Sequence, residues 1–318
     1  MSVPSLLQKF YLLAVPWYSP PRKLPAKDWP WRCSLRRDVQ IHRAIKQALR
    51  GSIPARLRRA VRNNLPRREQ LAEARLFWER QSLALVGQYR PRAGGRILCY
   101  HSTGQPEFGV NDVHPARFRR HIELSLKAGY RFVRASEIAQ TGGRPKDLAI
   151  TFDDALKSVS TVAAPILREY GIPYAVFAVS NWSDMKHPWY INRALDWREM
   201  ELLLKDGAEV GSHSVSHPDF SKIDHQRTVD ELCFSREVIK QRLGFAPDAF
   251  AIPFGQSRNW PAACAQSARE AGYRIVYAQA EDTRPEDTVA RTFVTKHDND
   301  HIFKALLAGH YDRWEEWF

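Results

Sequence analysis

Cysteine is scarce in this sequence, and its scarcity excludes two common frameworks. The 318 residues contain 4 cysteines, scattered along the chain rather than grouped in Cys-x-x-Cys pairs. Neither a zinc knuckle nor a disulfide scaffold is therefore indicated. We expect all of them to be reduced or buried, with a weak preference for a reducing compartment. They are Cys33, Cys99, Cys233 and Cys264.

Long apolar runs are also missing. The most apolar N-terminal stretch, Leu6 to Trp17, is interrupted by Gln8 and Lys9 and followed by Pro20. It is shorter than the about 20 apolar residues that a membrane-spanning helix needs, and no clean signal-peptide cleavage site follows it. Two interpretations stay open: the stretch lies in a membrane surface, or it packs across the rest of the protein as an apolar arm. We expect a cytoplasmic protein, or one held peripherally on the cytoplasmic face of a membrane.

Acidic residues are rare in the first third of the chain. Up to Gly95 there are about 20 Lys and Arg against about 5 Asp and Glu, whereas the remainder has a net charge of about −2. The net charge of +13 therefore resides in residues 1–95. Such a segment could meet nucleic acid, anionic lipid or an anionic glycan. No nucleic-acid-binding module is recognisable, so nucleic acid is not expected as a partner, and an anionic membrane surface is the preferred partner of residues 1–95.

Strand and helix patterns alternate from Gly95 onward. Repeated βα units predict an α/β protein with a parallel sheet and helices outside it, and about seven strands favour an irregular (β/α) barrel. We expect two parts: residues 1–95 as a basic helical extension and residues 96–318 as the barrel. Strands are predicted at Arg96–Tyr100, Arg131–Val133, Leu148–Phe152, Tyr174–Val179, Glu209–Gly211, Ala249–Ile252 and Arg274–Tyr277. Helices are predicted at Leu65–Tyr89, Pro115–Ala128, Ala155–Tyr170, Trp197–Lys205, Gln226–Leu243, Pro261–Ala271 and His301–Leu307.

Two adjacent carboxylates, Asp153 and Asp154, follow the apolar run Leu148–Ile150. Successive side chains of a strand point to opposite faces, so both acids reach one site only if the chain turns there. The C-terminal ends of strands are where α/β proteins place their chemistry. The alternative is that the pair ends a strand and caps a helix, because Asp satisfies free helix N–H groups.

A second stretch carries His213 and His217, four residues apart in a strand followed by a loop. Neutral imidazole is the commonest protein ligand for zinc-like metals, although two surface histidines at this spacing also arise by chance. Together with a carboxylate from the acidic pair, they form a two-His, one-carboxylate set. Three protein ligands leave a position open for water, which is a hydrolase arrangement.

These motifs resemble the polysaccharide deacetylase family, the NodB-homology domain of carbohydrate esterases. Its exopolysaccharide-modifying branch is similar in the opening strand Gly95–His101, in the stretch Phe118–Ile138, in the Pro-aromatic-Gly motif within Asp248–Gly255, and in Glu270–Arg274. The resemblance covers roughly residues 96 to 305. It implies a barrel of about seven strands and a metal-dependent hydrolase that removes acetyl groups from N-acetylated sugars, the metal being Zn²⁺. The alternative is a non-catalytic glycan- or anionic-membrane-binding protein on the same fold.

The resemblance also assigns roles. It makes Asp154, His213 and His217 the metal ligands and Asp153 the general base. It makes the N–H of Phe254 the donor to the oxyanion. A histidine protonates the leaving amine, and His101, at the end of the first strand, is preferred to His297, which lies in a polar run near the C-terminus.

The sequence departs from the family pattern at one position. Much of the family has an arginine two residues before the motif proline, which orients the base, and Ala251 stands there. Arg291, from the last strand region, could substitute for it. Carbohydrate faces stack on aromatic rings, so Trp182, Trp189 and Tyr190, which fall between the two metal-site motifs, are candidate sugar contacts, with ordinary packing as the alternative.

Overall fold

The computed structural model describes residues 68–279 and 283–312. Eight parallel strands form one sheet, and seven of them close into a barrel in the order β1-β3-β4-β5-β6-β7-β8, with β8 returning to β1. The strands are β1 Arg96–Tyr100, β2 Arg131–Phe132, β3 Asp147–Phe152, β4 Tyr174–Ala178, β5 Glu209–Ser212, β6 Ala249–Ala251, β7 Ile275–Gln279 and β8 Val289–Phe293. The predicted (β/α) barrel is confirmed.

Helices surround this barrel. They are α1 Arg68–Val86, α2 Pro115–Lys127, α3 Ala135–Thr141, α4 Ala164–Glu169, α5 Ser180–Ser183, α6 Trp197–Lys205, α7 His225–Leu243, α8 Ala262–Glu270 and α9 Asp300–Leu307. Local signals fix several of their ends. Asp196 and Glu199 form a capping box at the start of α6, and Gly244 ends α7 in the left-handed conformation that glycine adopts without steric cost.

The membership of the ring differs from the predicted strand set in two ways. The strand predicted at Arg131–Val133 exists as β2 and stays outside the ring. It pairs only with the start of β3, where Arg131 and Phe132 lie opposite Asp147 and Leu148. The seventh ring strand is β8, which the strand set lacked. Its sequence Val-Ala-Arg-Thr-Phe holds a charged residue at its centre and does not read as an apolar run. That centre, Arg291, is buried inside the barrel.

The helix predicted from Ala155 to Tyr170 begins later and less regularly than expected. Asp154 and Ala155 have positive φ, and the helix enters through a π-helical turn at Val159–Ala163 before α4. π-Turns accompany functional sites often. The irregular entry leaves the acidic pair in a turn at the end of β3, which is the geometry that lets both carboxylates face one site.

The helix predicted at Leu65–Tyr89 is described from Arg68 to Val86. Its inner face is buried on the barrel through Leu76, Arg80 and Ala84. The Arg80 guanidinium donates two hydrogen bonds of 2.6 Å to Asp298, in the loop after β8. The expected arm at Leu6–Trp17 and the remainder of residues 1–67 lie outside the described part, and the division of the chain at residue 95 stays a prediction.

Two packed layers position the site. Between barrel and helices, outward residues of the strands such as Leu98, Ile150 and Val176 pack with Phe118 and Phe303. Inside the barrel, small residues alternate with large ones, and Gly211 permits this because a Cβ there would lie 2.4 Å from the Phe177 ring. No helix among the described residues has the length and apolarity to cross a bilayer.

Candidate metal and catalytic site

Two neighbouring strands, β1 and β3, present inward residues in register at one end of the barrel. Along β1 the inward series is Ile97, Cys99 and then His101, and along β3 it is Ala149, Thr151 and then Asp153. Side chains two residues apart in a strand share a face. Since parallel strands end at the same edge, the last members of both series, His101 and Asp153, lie in the top layer.

The predicted metal ligands converge. The candidate ligand atoms of Asp154, His213 and His217 all lie within 4.8 Å of one another. Each histidine Nε2 is 3.6 Å from Asp154 Oδ1. The set combines one carboxylate with two imidazoles, which suits zinc and similar divalent ions.

The hydrogen bonds around these ligands leave the metal-facing atoms available. His213 Nδ1 lies 2.8 Å from the carbonyl of Ala251, to which it donates, so that its Nε2 presents a lone pair to the site. Asp154 Oδ1 is buried and accepts no hydrogen bond from any described residue. A buried carboxylate oxygen without a donor is costly, and a divalent cation would satisfy it. The donor set therefore fits a divalent metal.

Electrostatics support the same interpretation. Burial, together with the neighbouring charge of Asp153, raises the pKa of Asp154 well above its usual range. Burial lowers the pKa of both His213 and His217, so both imidazoles are neutral at pH 7. Neutral imidazoles are the form that binds metal, and a bound cation is the charge that would keep Asp154 ionised.

Asp153 has a different environment from its neighbour. Arg291 donates two hydrogen bonds to it, at 2.6 and 2.7 Å, and the Cys99 thiol lies 3.4 Å from Oδ2. Burial acts to raise the pKa of Asp153, but the Arg291 and His213 charges outweigh it, and the pKa lies well below the usual range. Asp153 is therefore ionised. Arg291 orients it, in place of the arginine that much of the family has at the position of Ala251.

Arg291 is itself held in a fixed position. Its guanidinium lies over the rings of Phe177 and Tyr277, at 5.3 and 5.7 Å from the ring centroids. It also donates to Thr151 Oγ1. A planar guanidinium stacked between aromatic rings is well suited to a bidentate carboxylate contact.

The two candidate acids occupy different places. The His101 ring packs edge-on against Phe293. The ionisable groups that act on its pKa are Asp153, His213 and Arg291. Burial lowers the pKa of His101 to about 4, and its Nδ1 has no hydrogen-bond partner among the described residues. His297 instead packs on Phe77 of α1, away from these groups. The structure thus brings His101 to the site and leaves His297 outside it.

Phe254 follows β6 at the rim of the site. Its ring is 4.7 Å from that of His217 and it is about half exposed. Its backbone has φ of 64° and Gly255 follows with φ of 68°. A side chain at Gly255 would press on Gln279, since a Cβ would lie 2.5 Å from Gln279 Cγ. The motif glycine is therefore required both by backbone conformation and by space.

Backbone strain concentrates here. Of the nine described non-glycine residues with positive φ, five lie in the three loops that carry the site. Such conformations cost about 1–3 kcal/mol each and persist where the surrounding structure enforces them. They are Asp154, Ala155, Ser214, His217 and Phe254.

The three candidate sugar contacts form one aromatic cluster, but they differ in access. Trp182 is buried, with one neighbour in Tyr190 at 3.5 Å and another in His217 at 5.4 Å. Tyr190 is partly buried, and the charge of Asp154 contributes to raising its pKa. Trp189 is exposed at the rim and carries Arg193 over its ring.

Sequence reasoning missed Glu231, which shapes the histidine loop from α7. Its buried carboxylate accepts the N–H groups of Val215 and Ser216 at 2.8 and 2.9 Å, and the Ser216 hydroxyl at 2.6 Å. Arg227 pairs with the same carboxylate at 2.7 Å. The sequence feature that could have identified Glu231 is its position on the buried face of a predicted helix, one turn from Thr228 and Ser235.

The fold and the site together define a parallel (β/α)-barrel protein with an Asp-His-His cluster that could hold a metal ion, and with a second carboxylate held by an arginine. Residues 140–276 match the family model for polysaccharide deacetylase. The resemblance to the polysaccharide deacetylase family seen in the motifs is therefore confirmed.

Relatives agree with this match over part of their length. The peptidoglycan-N-acetylglucosamine deacetylase PgdA of Listeria monocytogenes is 27% identical over 111 residues, 35% of this chain and 22% of that protein. The uncharacterized protein YlxY of Bacillus subtilis is 32% identical over 94 residues, 30% of this chain and 26% of that protein. The chain thus spans about a quarter of the length of these relatives.

Solved structures share the fold. The IcaB structure from Ammonifex degensii superposes with a TM-score of 0.56 at 21% identity, covering 70% of this chain and 99% of that one. The Streptococcus pyogenes deacetylase PplD, solved in complex with acetate, gives 0.55 at 20% identity, covering 65% and 94%.

Proposed function

We propose that this protein is a metal-dependent hydrolase that removes acetyl groups from N-acetylated sugars, borne on a polysaccharide, an oligosaccharide or a lipid-linked glycan. The observation that carries the proposal is the pair of adjacent acids with opposite surroundings. Asp154 faces two imidazole nitrogens, and Asp153 is held by Arg291 beside them. In this proposal Asp154 would ligate the metal and Asp153 would act as the base.

Asp154, His213 and His217 would hold a divalent metal, with Zn²⁺ as the first choice for one carboxylate and two imidazoles. When bound, such an ion lowers the pKa of water to about 7 and polarises a carbonyl oxygen. The hydrogen bond from His213 to Ala251 fixes the ring that would ligate.

The protein's own groups would perform the proton transfers. Asp153 is ionised at neutral pH because of Arg291, and in that form it would accept a proton from the attacking water. His101, neutral at pH 7 and beside Asp153, would take up the proton that Asp153 has accepted from the water and pass it to the leaving nitrogen, so that the water supplies both the oxygen of the acetate and the proton of the amine. The Phe254 N–H, for which no described residue serves as acceptor, would donate to the developing oxyanion.

The aromatic cluster would position the sugar. Trp189 presents an exposed face and Tyr190 lies near Asp154, so these two would contact the sugar ring. Trp182, buried between Tyr190 and His217, would hold both in place.

The test is acetate release from a panel of N-acetylated sugars and oligosaccharides, before and after chelation. We expect release by the untreated protein, its loss with chelator and its recovery with added Zn²⁺. Release that a chelator leaves unchanged would remove the metal from the proposal. Bound metal without release from any substrate would favour the alternative, a non-catalytic glycan- or membrane-binding protein on this fold.

We further propose that residues 1–95 form a basic extension to the barrel at residues 96–318 and attract the protein to an anionic membrane surface. The support is their excess of basic residues beside a nearly neutral remainder. The location that follows is cytoplasmic, or peripheral on the cytoplasmic membrane face.

A further inference from the structure

The segment between β1 and α2 brings a further aromatic side chain to the candidate sugar contacts. Phe108 is partly buried, and its ring lies 5.2 Å from that of Trp189 and 6.4 Å from that of Tyr190. The Phe108 and Tyr190 rings are inclined by 29° to each other, and each is nearly perpendicular to Trp189, at 84° and 82°. The three rings therefore form two apolar walls that meet at an angle. We call this arrangement the aromatic corner.

The aromatic corner is continuous with the candidate metal site. The His217 ring is 5.4 Å from Trp182, which is 3.5 Å from Tyr190. The Tyr190 ring is in turn 6.4 Å from that of Phe108. Three short steps between ring centroids thus join a candidate metal ligand to the corner. A sugar whose acetamide group reached the metal site would have the corner beside it.

Two charged side chains stand at the edge of the corner. Arg193 lies over the Trp189 ring, 4.9 Å from its centroid, and donates to the Trp189 carbonyl at 2.8 Å. Glu107 pairs with Arg193 at 3.6 Å, and the two side chains are 40% and 39% exposed. A carboxylate accepts hydrogen bonds and a guanidinium donates them. The edge therefore offers both kinds of partner to the hydroxyl groups of a sugar, without a net charge from this pair.

The segment that carries Phe108 is held in place through Gln105. The Gln105 side-chain carbonyl accepts the N–H of Ser158 at 2.7 Å, and its amide group donates to the carbonyl of Arg193 at 3.3 Å. Ser158 belongs to the segment that follows the acidic pair, and Arg193 belongs to the segment of the candidate sugar contacts. One side chain thus links all three segments. A corner fixed in this way loses little conformational freedom when it binds a ligand.

We propose that the aromatic corner is a second sugar subsite, which takes the sugar next to the one that loses its acetyl group. A pyranose ring has apolar faces surrounded by hydroxyl groups. One face packs on the rings of Phe108 and Trp189, and Glu107 and Arg193 bond the hydroxyl groups. The substrate is therefore a glycan of at least two sugars. This inference rests on the proposed deacetylase function and names residues that would select its substrate.

A sugar fits the corner better than a protein partner does. A stable protein interface buries about 800 Å² on each side. The apolar part of the corner consists of three side chains, of which Phe108 and Tyr190 are partly buried and Trp189 is 42% exposed. Its apolar area is therefore small. The corner also adjoins the site, which is where the next sugar of a bound chain would lie.

The test uses the full chain and measures acetate release from N-acetylglucosamine and from its disaccharides joined through O3, O4 or O6. Phe108→Ala removes one wall of the corner, and Phe108→Tyr keeps the ring. The matched control is Phe234→Ala, which removes a phenylalanine of 59% exposure from α7. Equilibrium dialysis of the same sugars measures binding independently of the reaction.

For at least one disaccharide, we expect kcat/KM of the unaltered protein to exceed that for the monosaccharide about fivefold or more, the effect of one aromatic contact. Phe108→Ala should lose most of this gain, mainly through a higher KM, because the contact is made equally in the bound substrate and the transition state. Phe108→Tyr should keep the gain, and Phe234→Ala should leave it unchanged.

The subsite would be refuted by a disaccharide gain that Phe108→Ala leaves intact, or by the lack of any gain in the unaltered protein. Equal losses for monosaccharide and disaccharide in Phe108→Ala would refute it too, since Phe108 would then support the reacting sugar alone. A dimer in solution that Phe108→Ala dissociates would make the corner a contact between copies.

The dialysis separates this inference from the proposed function. If no sugar is deacetylated, while a disaccharide binds more tightly than the monosaccharide and Phe108→Ala loses the difference, the enzymatic proposal fails and the subsite stands. If acetate is released but neither binding nor kcat/KM depends on the second sugar, the enzymatic proposal stands and the subsite fails.

Discussion

Arg291 and Asp153 face each other from β8 and the end of β3, the two strands that flank β1, and they form a bidentate ion pair inside the barrel. The arginine position that much of the family uses for this purpose is Ala251 here. The same carboxylate is thus oriented from a different strand.

Replacing Arg291 should therefore affect both chemistry and stability. Arg291→Met leaves Asp153 buried without its partner, which should cost about 3–5 kcal/mol of folding free energy and lower turnover. Arg291→Lys is the matched control: it keeps the charge but not the paired hydrogen bonds, so turnover should fall less. Urea midpoints and initial rates of acetate release measure both. A Met variant with unchanged turnover would show that Arg291 serves packing alone.

Substitutions should distinguish the roles of the two adjacent acids, Asp153 and Asp154. Asp153→Asn should retain metal, measured by elemental analysis, and lower turnover about 100-fold or more, because it removes a base and not a ligand. Asp154→Asn should lose metal as well as activity, as should His213→Ala and His217→Ala. The reverse pattern, with metal lost from Asp153→Asn and kept in Asp154→Asn, would exchange the two roles.

His101→Ala should lower turnover with metal retained, since His101 lies among the charged groups of the site. His297→Ala is the control, because His297 packs on α1 beside Glu73, at 4.0 Å. We expect an effect of about 100-fold at His101 and little at His297. Near-normal turnover in His101→Ala would mean that another group protonates the leaving amine.

Glu231 should act on the metal site through the histidine loop. Glu231→Ala removes the acceptor of two backbone N–H groups and should weaken Zn²⁺ binding about 10–100-fold, as loss of a group that supports a ligand does. Glu231→Gln keeps an acceptor of the same reach and should retain most of the affinity. Titration of the metal-free protein with Zn²⁺ measures this directly, and equal losses in both variants would argue for the charge rather than the hydrogen bonds.

Folding stability should fall with acid partly through His121. Its ring is stacked on Phe303 and bonded to the carbonyl of Asp298, and burial lowers its pKa to about 4 from 6.5. The unfolded chain then binds the extra proton between these values. The contribution of His121 to stability is full above pH 6.5 and falls as pH drops toward 4, by about 1.4 kcal/mol per pH unit for one proton.

Urea denaturation at several pH values tests this. His121→Gln should reduce the slope by about one proton, whatever its effect on stability itself. His225→Gln, a substitution of the same kind at an exposed position, is the matched control. An unchanged slope in His121→Gln would assign the acid sensitivity to other groups.

The sequence by itself determined the parts of this protein that depend on local pattern. The alternation of apolar runs with helical periodicity predicted the barrel, and the boundaries of β1 and α6 agree with the structure to the residue. Motif spacing identified Asp153, Asp154, His213 and His217 as candidate site residues. These signals are local because strand period, helix capping and the turn after β3 depend on near neighbours.

The tertiary structure decided which distant residues meet. Only closure of the ring by β8 places Arg291 on Asp153, 138 positions away. Only the packing of α7 brings Glu231 under the loop of His217. The choice between His101 and His297 likewise depended on where β1 and α1 lie. Contacts of this kind join segments far apart in sequence, and the pattern around each residue contains no information about its partner.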